Sequence, residues 1–244
     1  MANECVSIVT IVYNNREYIQ QTIDSVASQN YPNIEYLVID GGSTDGTINI
    51  LKKNDNNIAH WISEKDRGIS DAFNKGLRFS SGALIGFLNS DDWYEPDVIN
   101  NIMSFASEHE CLNKPCVLYG KTYRVLKDGQ RINKKNNTMG WHVSVPFSHC
   151  SSFITREYYE QYGDFDDKFK IAMDVDFLMR GLGEAEYIEM PMFVGNQRDG
   201  GVSDKNRLNG YKEYFKIAAS KVGFLNALVG FLIKLSIHYL KKRK

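Results

Sequence analysis

Apolar residues in this chain collect in short runs, and between the runs they recur at helical spacing. Val6-Ser7-Ile8-Val9-Thr10-Ile11-Val12 is rich in β-branched residues and predicts a first, central strand. Beyond the Tyr13-Asn14-Asn15 loop, Ile19, Ile23, Val26 and Ala27 predict a helix over residues 17–29. Tyr36-Leu37-Val38-Ile39 predicts a second strand ending in Asp40. The turn-rich Gly41-Gly42-Ser43-Thr44-Asp45-Gly46 then opens a helix near Thr47. A third strand is expected at residues 58–62 and a helix over residues 69–79. Leu84-Ile85-Gly86-Phe87-Leu88 predicts a buried strand that stops abruptly at Asn89-Ser90-Asp91-Asp92. Pro96 suits the first turn of a helix running to about Ser107. Strands alternating with helices in this way predict an α/β fold, its mostly parallel central sheet flanked by helices.

The second half has a different rhythm. Residues 117–125 are strand-like, Asp128-Gly129 is a hairpin signal, and residues 133–138 form a polar loop. A strand at residues 151–155 leads into a helix from Arg156 that stops at Gly163. Met173-Asp174-Val175-Asp176 begins another helix, residues 186–194 return as a strand, and residues 198–203 read as a flexible loop. From Tyr211 onward, Ser220, Gly223, Ala227, Gly230, Lys234, His238 and Lys241 fall on one helical stripe, with large apolar residues over most of the rest. The longest charge-free run there, residues 222–233, contains Asn226 and is well short of the roughly 20 apolar residues a spanning helix needs. An interfacial amphipathic helix fits better, its apolar side in lipid and Lys241-Lys242-Arg243-Lys244 toward anionic headgroups. The competing expectation is a helix packed on the protein's own core or on a partner subunit.

Composition adds little and excludes some classes. A formal net charge of −1 over 244 residues gives no reason to expect nucleic acid as a partner. Cys5, Cys111, Cys116 and Cys150 are scattered without a CxxC pair, and residues 1–4 lead straight into a strand without a signal peptide. Reduced thiols and a cytoplasmic compartment are therefore expected.

The candidate chemistry lies where predicted strands end. Asp40, the Asp66-Arg67 pair and the Asp91-Asp92 pair should share one sheet edge, the place where ligands collect in α/β folds. Asp91 and Asp92, flanked by Asn89 and Ser90, form an all-oxygen site suited to Mg²⁺ or Mn²⁺. The plainer alternative is a solvated turn in which Asp92 or Asp97 caps the next helix.

Taken in order, these segments resemble a family 2 glycosyltransferase with the GT-A (nucleotide-diphospho-sugar transferase, Rossmann-like) fold, of the kind that builds bacterial surface polysaccharides such as O-antigen. The resemblance covers residues 5–200. It is carried by Val9-Thr10-Ile11-Val12-Tyr13-Asn14, Val38-Ile39-Asp40-Gly41-Gly42-Ser43-Thr44-Asp45-Gly46-Thr47 and Ser63-Glu64-Lys65-Asp66-Arg67-Gly68-Ile69. Asp71-Ala72-Phe73-Asn74-Lys75-Gly76, Leu88-Asn89-Ser90-Asp91-Asp92 and Met173-Asp174-Val175-Asp176 complete it. It implies that Thr10, Tyr13 and Asp40 form the nucleoside pocket and that Asp66 and Arg67 contact base and diphosphate. It also implies that Asp91 and Asp92 hold a metal, with Asp91 also toward the donor, and that Asp174 is the catalytic base. His149, Asp176 and Arg198 are expected on the acceptor side. Gly41 stands where many relatives carry a second Asp, and Asn89 opens a motif that often begins with Asp.

The expected reaction is inverting transfer from a UDP-sugar to a hydroxyl of a glycan, carried on a lipid diphosphate, giving a β-linkage. Residues 1–205 would form the transferase domain, with the nucleotide-sugar half at about 1–107 and the acceptor half at 108–205. Residues 206–244 would bind the inner face of the cell membrane peripherally. The alternatives are a non-catalytic sugar-nucleotide or glycan-binding subunit and a nucleotidyltransferase. The latter is disfavoured because no Gly-rich, basic phosphate loop follows the first strand.

Overall fold

The first strand, β1 (Val6–Val12), is buried along its whole length. The computed structural model, which describes residues 4–242, pairs it in parallel with β2 (Ile34–Asp40) on one side and β4 (Leu84–Asn89) on the other. Strand β3 (His60–Ser63) continues the parallel set beyond β2. Helices α1 (Ile19–Ala27), α2 (Thr47–Lys53) and α3 (Ile69–Phe79) make the connections. The period-2 alternation of β1 divides its side chains between two cores: Val6, Ile8 and Val12 in one, Val9 and Ile11 in the other with Phe73 and Leu77 of α3. The apolar runs read as continuous because this strand is covered on both faces.

Past β4 the sheet becomes mixed. In full its order is β3-β2-β1-β4-β8-β6-β9-β5, with β7 beside β6. Here β5 is Trp93–Tyr94, β6 Cys116–Val125, β7 Arg131–Lys134, β8 Ser152–Thr155 and β9 Glu186–Arg198. The hairpin at Asp128-Gly129 forms as expected, with Gly129 at φ 84°, so Asn133 and Lys134 belong to a strand rather than a loop. Strand β9 runs four residues beyond its expected end at Val194. It pairs with β6 across irregularities near Lys121, and its last residues pair with β5, Trp93 opposite Asn196. That extension carries Arg198 to the end of β4.

Helix α4 (Val98–Glu108) starts two residues after Pro96, and the Asp97 side chain makes no capping bond. Helix α5 (Arg156–Tyr162) is capped by the Thr155 hydroxyl and stops at Gly163, φ 76°. Helices α6 (Met173–Met179), α7 (Val202–Lys205), α8 (Arg207–Lys221) and α9 (Phe224–Lys242) follow.

The C-terminal stretch is two helices, because Gly223 at φ 88° ends α8 in a left-handed turn. Tyr214, Ile217 and Ala218 of α8 pack on Ala172, Val175 and Met179 around α6. Helix α9 returns with its small and polar stripe turned inward. Ala227 is buried, and Gly230 lies so close to the His142 carbonyl that a Cβ there would stand 1.8 Å from its oxygen. Phe224, Leu225, Val229, Leu232, Ile237, Tyr239 and Leu240 face outward. The inward side meets the expectation of a helix packed on the protein's own core, and the outward side is apolar and exposed. Among the described residues no helix is long and apolar enough to cross a membrane. Arg243 and Lys244 of the basic run lie outside the described residues.

Candidate active site

The chain leaves β1 toward β2 and later returns to β4 on the other side of β1. The strand order reverses there, and the crevice at the carboxyl ends of such strands is where α/β sheets bind ligands. A cleft of about 1130 Å³ opens at that point. Tyr13, Asn14, Asn15, Gly41, Asp66, Asn89, Ser90, Asp91 and Asp92 line it from the parallel half, Lys134 and Arg198 from the mixed half, and Tyr211 from α8.

On the β2 side, Tyr13 stands 65% exposed in the cleft. Asn14, at φ 48°, is held by Ser43 and Thr44, and Asn15 reaches across to the Ser90 hydroxyl at 2.8 Å. Thr10, expected in the nucleoside pocket, does not reach it. It shares the face of Ile8 and Val12, is fully buried, and accepts a bond from the Tyr36 hydroxyl at 3.1 Å. Ile11 and Val12 meet the cleft instead. Asp40 is also fully buried, and its two oxygens accept from the Gly42 and Ser43 amides and the Ser43 and Ser63 hydroxyls. Those donors saturate it as the organiser of the Gly42-Ser43 turn.

The room left by Gly41 is taken by Asp66. A Cβ at position 41 would lie 2.7 Å from Asp66 Oδ2 and 3.4 Å from the Tyr13 ring. Lys75 holds Asp66 at 2.6 Å and also reaches Glu64 at 2.8 Å. Burial lifts the Asp66 carboxyl above its ordinary value against the pull of Lys75. Burial works against the Lys75 ammonium as well, but bonds to Asp66 and Glu64 raise it to about 12. Arg67 is 79% exposed at the rim and paired with Asp71 at 2.9 Å, holding that acid down at about 2. Arg67 is not among the residues lining the cleft.

The end of β4 is short of donors. Asp92 is 2% exposed and accepts the Arg198 amide at 3.0 Å. No side chain of the described residues donates a hydrogen bond to Asp91. Burial raises both carboxyls, and Asp92 is raised further by its neighbour Asp91. The Arg198 amide, the Asn89 side chain and the Asp91 amide, with the charges of Arg198, Lys205 and Lys134, oppose this without cancelling it. Two acids under such strain at the mouth of a cleft fit a hard divalent cation, which takes oxygen ligands and relieves the repulsion. Among the described residues no third acid, His or Cys joins them. Most coordination positions would then fall to phosphate oxygens and water.

Arg198 was expected on the acceptor side and stands at this acidic pair. Its guanidinium lies over Tyr18 at 4.2 Å and Trp93 at 4.9 Å, and reaches Gln21 at 2.8 Å. Asp174 is partly buried in the first turn of α6. Its only hydrogen bond among the described residues comes from the neighbouring Val175 amide at 2.9 Å. The N-cap is Ala172, so Asp174 is not the capping residue. A void of about 10 Å³ beside Asp174 is walled by His149. His149 is packed between Phe73 and Phe87, its Nε2 has no partner, and burial lowers its pKa, so it is neutral at neutral pH. Asp176 is bound by Arg180, which also donates to the Tyr162 and Asp164 carbonyls. That network ties α6 to the end of α5.

Sequence reasoning assigned no role to Asn15, Lys75, Lys134 or Tyr211. Only Lys75 carried a signal, its place four residues after Asp71 within a quoted motif.

Residues 7–163 match the family described as Glycosyl transferase family 2. The putative teichuronic acid biosynthesis glycosyltransferase TuaG of Bacillus subtilis is 38% identical over 109 residues, covering 43% of each chain. S. aureus TarS 1-349, solved with UDP-GlcNAc, superposes with a TM-score of 0.69 at 19% identity, over 89% of this chain and 66% of that one. Mannosyltransferase PcManGT of Pyrobaculum calidifontis, solved with GDP-Man and Mn²⁺, gives 0.69 at 15% identity over 97% and 75%. At such identities the structural likeness concerns the fold. With its sheet reversing at an acid-lined crevice, and with most of its length matched, the chain belongs to glycosyltransferase family 2 and has the GT-A fold.

Proposed function

We propose that the protein is an inverting glycosyltransferase of polysaccharide biosynthesis. It would move a sugar from a UDP-sugar to a hydroxyl of a glycan carried on a lipid diphosphate. The observation that carries this reading is the under-compensated pair Asp91 and Asp92 at the switch point of the sheet. The TuaG description supports the polysaccharide setting, and the UDP-GlcNAc in TarS supports the donor class.

Tyr13 offers a ring face to the base, and Asp66, fixed by Lys75, offers a carboxylate to a base N–H. Asp91 and Asp92 would hold Mn²⁺ or Mg²⁺, which when bound acts as a Lewis acid on the charge developing at the leaving diphosphate. Asp174 has oxygens to spare and takes the proton of the acceptor hydroxyl. The hydroxyl oxygen attacks the anomeric carbon opposite the diphosphate, so an α-linked donor gives a β-linkage. Neutral His149 walls the void beside the base. The outward apolar side of α9 and the terminal lysines would seat the protein on an anionic membrane at its cytoplasmic face. Residues 1–107 then serve the donor, 108–205 the acceptor, and 206–244 the membrane.

UDP release with Mn²⁺ from UDP-Glc, UDP-Gal, UDP-GlcNAc and UDP-GalNAc, each with and without glycan acceptor, tests the reading. One of these donors should be consumed faster with acceptor. Turnover of GDP-Man alone would overturn the donor class, and binding of UDP-sugar without any turnover would favour a binding subunit.

A further inference from the structure

The inward stripe of α9 carries one feature that neither packing nor membrane binding requires. Lys234 points into the protein although the helix has a solvent-facing side. Its ammonium lies 3.3 Å from the centroid of Tyr214 and 5.5 Å from that of Tyr211. Among the described residues no acid pairs with it, and no hydrogen bond to it is made. Burial pulls it down to about 7, and the one charge that holds it up is Asp174. Asp174 also acts on the buried Tyr214 hydroxyl, which donates to the Trp141 carbonyl at 2.6 Å. Tyr211, the second ring under Lys234, lines the main cleft. A turn further along α9, His238 faces Tyr211 with a ring nitrogen that has no partner.

The Lys234 ammonium and the Asp174 carboxylate influence each other without pairing, and of the two rings under the ammonium, Tyr211 borders the main cleft. A buried cation without an anion is costly, and a Leu at this position would avoid that cost. We propose that Lys234, on its Tyr211–Tyr214 platform, forms an anion subsite for the phosphate-bearing end of the acceptor, placing the acceptor hydroxyl against Asp174. This rests on the reading of Asp174 as the base. It makes α9 part of the active site: the outward side meets the membrane, and the inward side receives a phosphate that enters from it.

The test uses the full chain saturated with UDP and Mn²⁺, so that the donor site is filled, and geranyl diphosphate as the probe. Lys234→Met should weaken geranyl diphosphate binding about 10–100-fold, the size of a lost charge-assisted bond. UDP affinity should not change, and Tm should hold or rise because a buried charge has been removed. Lys234→Arg should retain most of the binding. In ¹³C-dimethylated protein, the Lys234 resonance should shift with geranyl diphosphate and stay in place with uncharged geraniol. Unchanged probe affinity in Lys234→Met, or a resonance that ignores the diphosphate, overturns the subsite alone. A wild-type chain that binds no UDP overturns the transferase reading instead.

Discussion

Strands β2 and β4 flank β1, and both end in buried carboxylates, but the two ends are built in opposite ways. Asp40 accepts from two amides and two hydroxyls of its own loop and of β3. Asp91 and Asp92 have fewer donors between them, chiefly the Arg198 amide and the Asn89 side chain on Asp92, and they repel each other. The same division recurs on α6, where Asp176 is tied to Arg180 while Asp174 has only its neighbour's amide. Saturated acids hold backbone in place. Acids short of donors are the ones that can take a cation or a proton, so donor count separates structure from chemistry where residue type does not.

The strongest attempt to break this division is Asp174→Asn. It keeps the side-chain size and removes basicity, so turnover should fall about 10²–10⁴-fold. UDP affinity, measured by calorimetry, should not move. Asp176→Asn is the control, and it should lower Tm more than turnover. Retained activity in Asp174→Asn together with loss in Asp176→Asn would reverse the assignment.

Asp92→Ala should cost about 10²–10³-fold in turnover, the scale of removing an electrostatic stabiliser from a transition state. UDP should then bind no better with Mn²⁺ than without. The same acid makes a pH prediction. Its folded pKa is raised, so between about pH 4 and neutrality the folded protein binds more protons than the unfolded chain. Metal-free protein should therefore lose Tm as pH rises through that range, and Asp92→Asn should flatten the slope. A metal-free Tm that climbs over the same interval would show the pair to be compensated.

Asp40→Asn sharpens the contrast from the saturated side. Exchanging one acceptor oxygen for a donor disrupts charge-assisted bonds and should cost about 1.5–3 kcal/mol of stability by denaturant titration. UDP affinity should change less than for Asp92→Ala. The smallest effects belong to the tail. Leu225→Asp should weaken binding to anionic liposomes by about 1.5–3 kcal/mol and leave Tm unchanged, because Leu225 is 76% exposed. Salt should weaken that binding too. Ala227→Asp on the inward side should instead unfold the α8–α9 pair.

Much of this was legible along the chain. A helix is expected over residues 69–79 and α3 lies there, with Ala72, Phe73 and Leu77 buried on its one apolar face. Gly163 and Gly129 marked their turns because few other residues tolerate positive φ. Thr10 was misread since a polar residue on a doubly covered strand can be satisfied from inside, here by Tyr36. No local pattern could show that.

The sequence by itself determined the alternation of strands and helices, the acids at three strand ends and the family they belong to. These follow from periodicities of 2 and 3.6 residues and from motifs confined to a few neighbours. Tertiary structure alone decided which acids are saturated, that Arg198 reaches Asp92 and that Asp66 fills the space at Gly41. It also decided that α9 turns Lys234 toward Asp174 and its leucines outward. Arg198 meets Asp92 across 106 positions through the extension of β9, and Lys234 is brought back by the fold-back at Gly223. A helical wheel names the stripe but not the side that finds a partner. That choice depends on the shape of the surface against which the helix comes to rest.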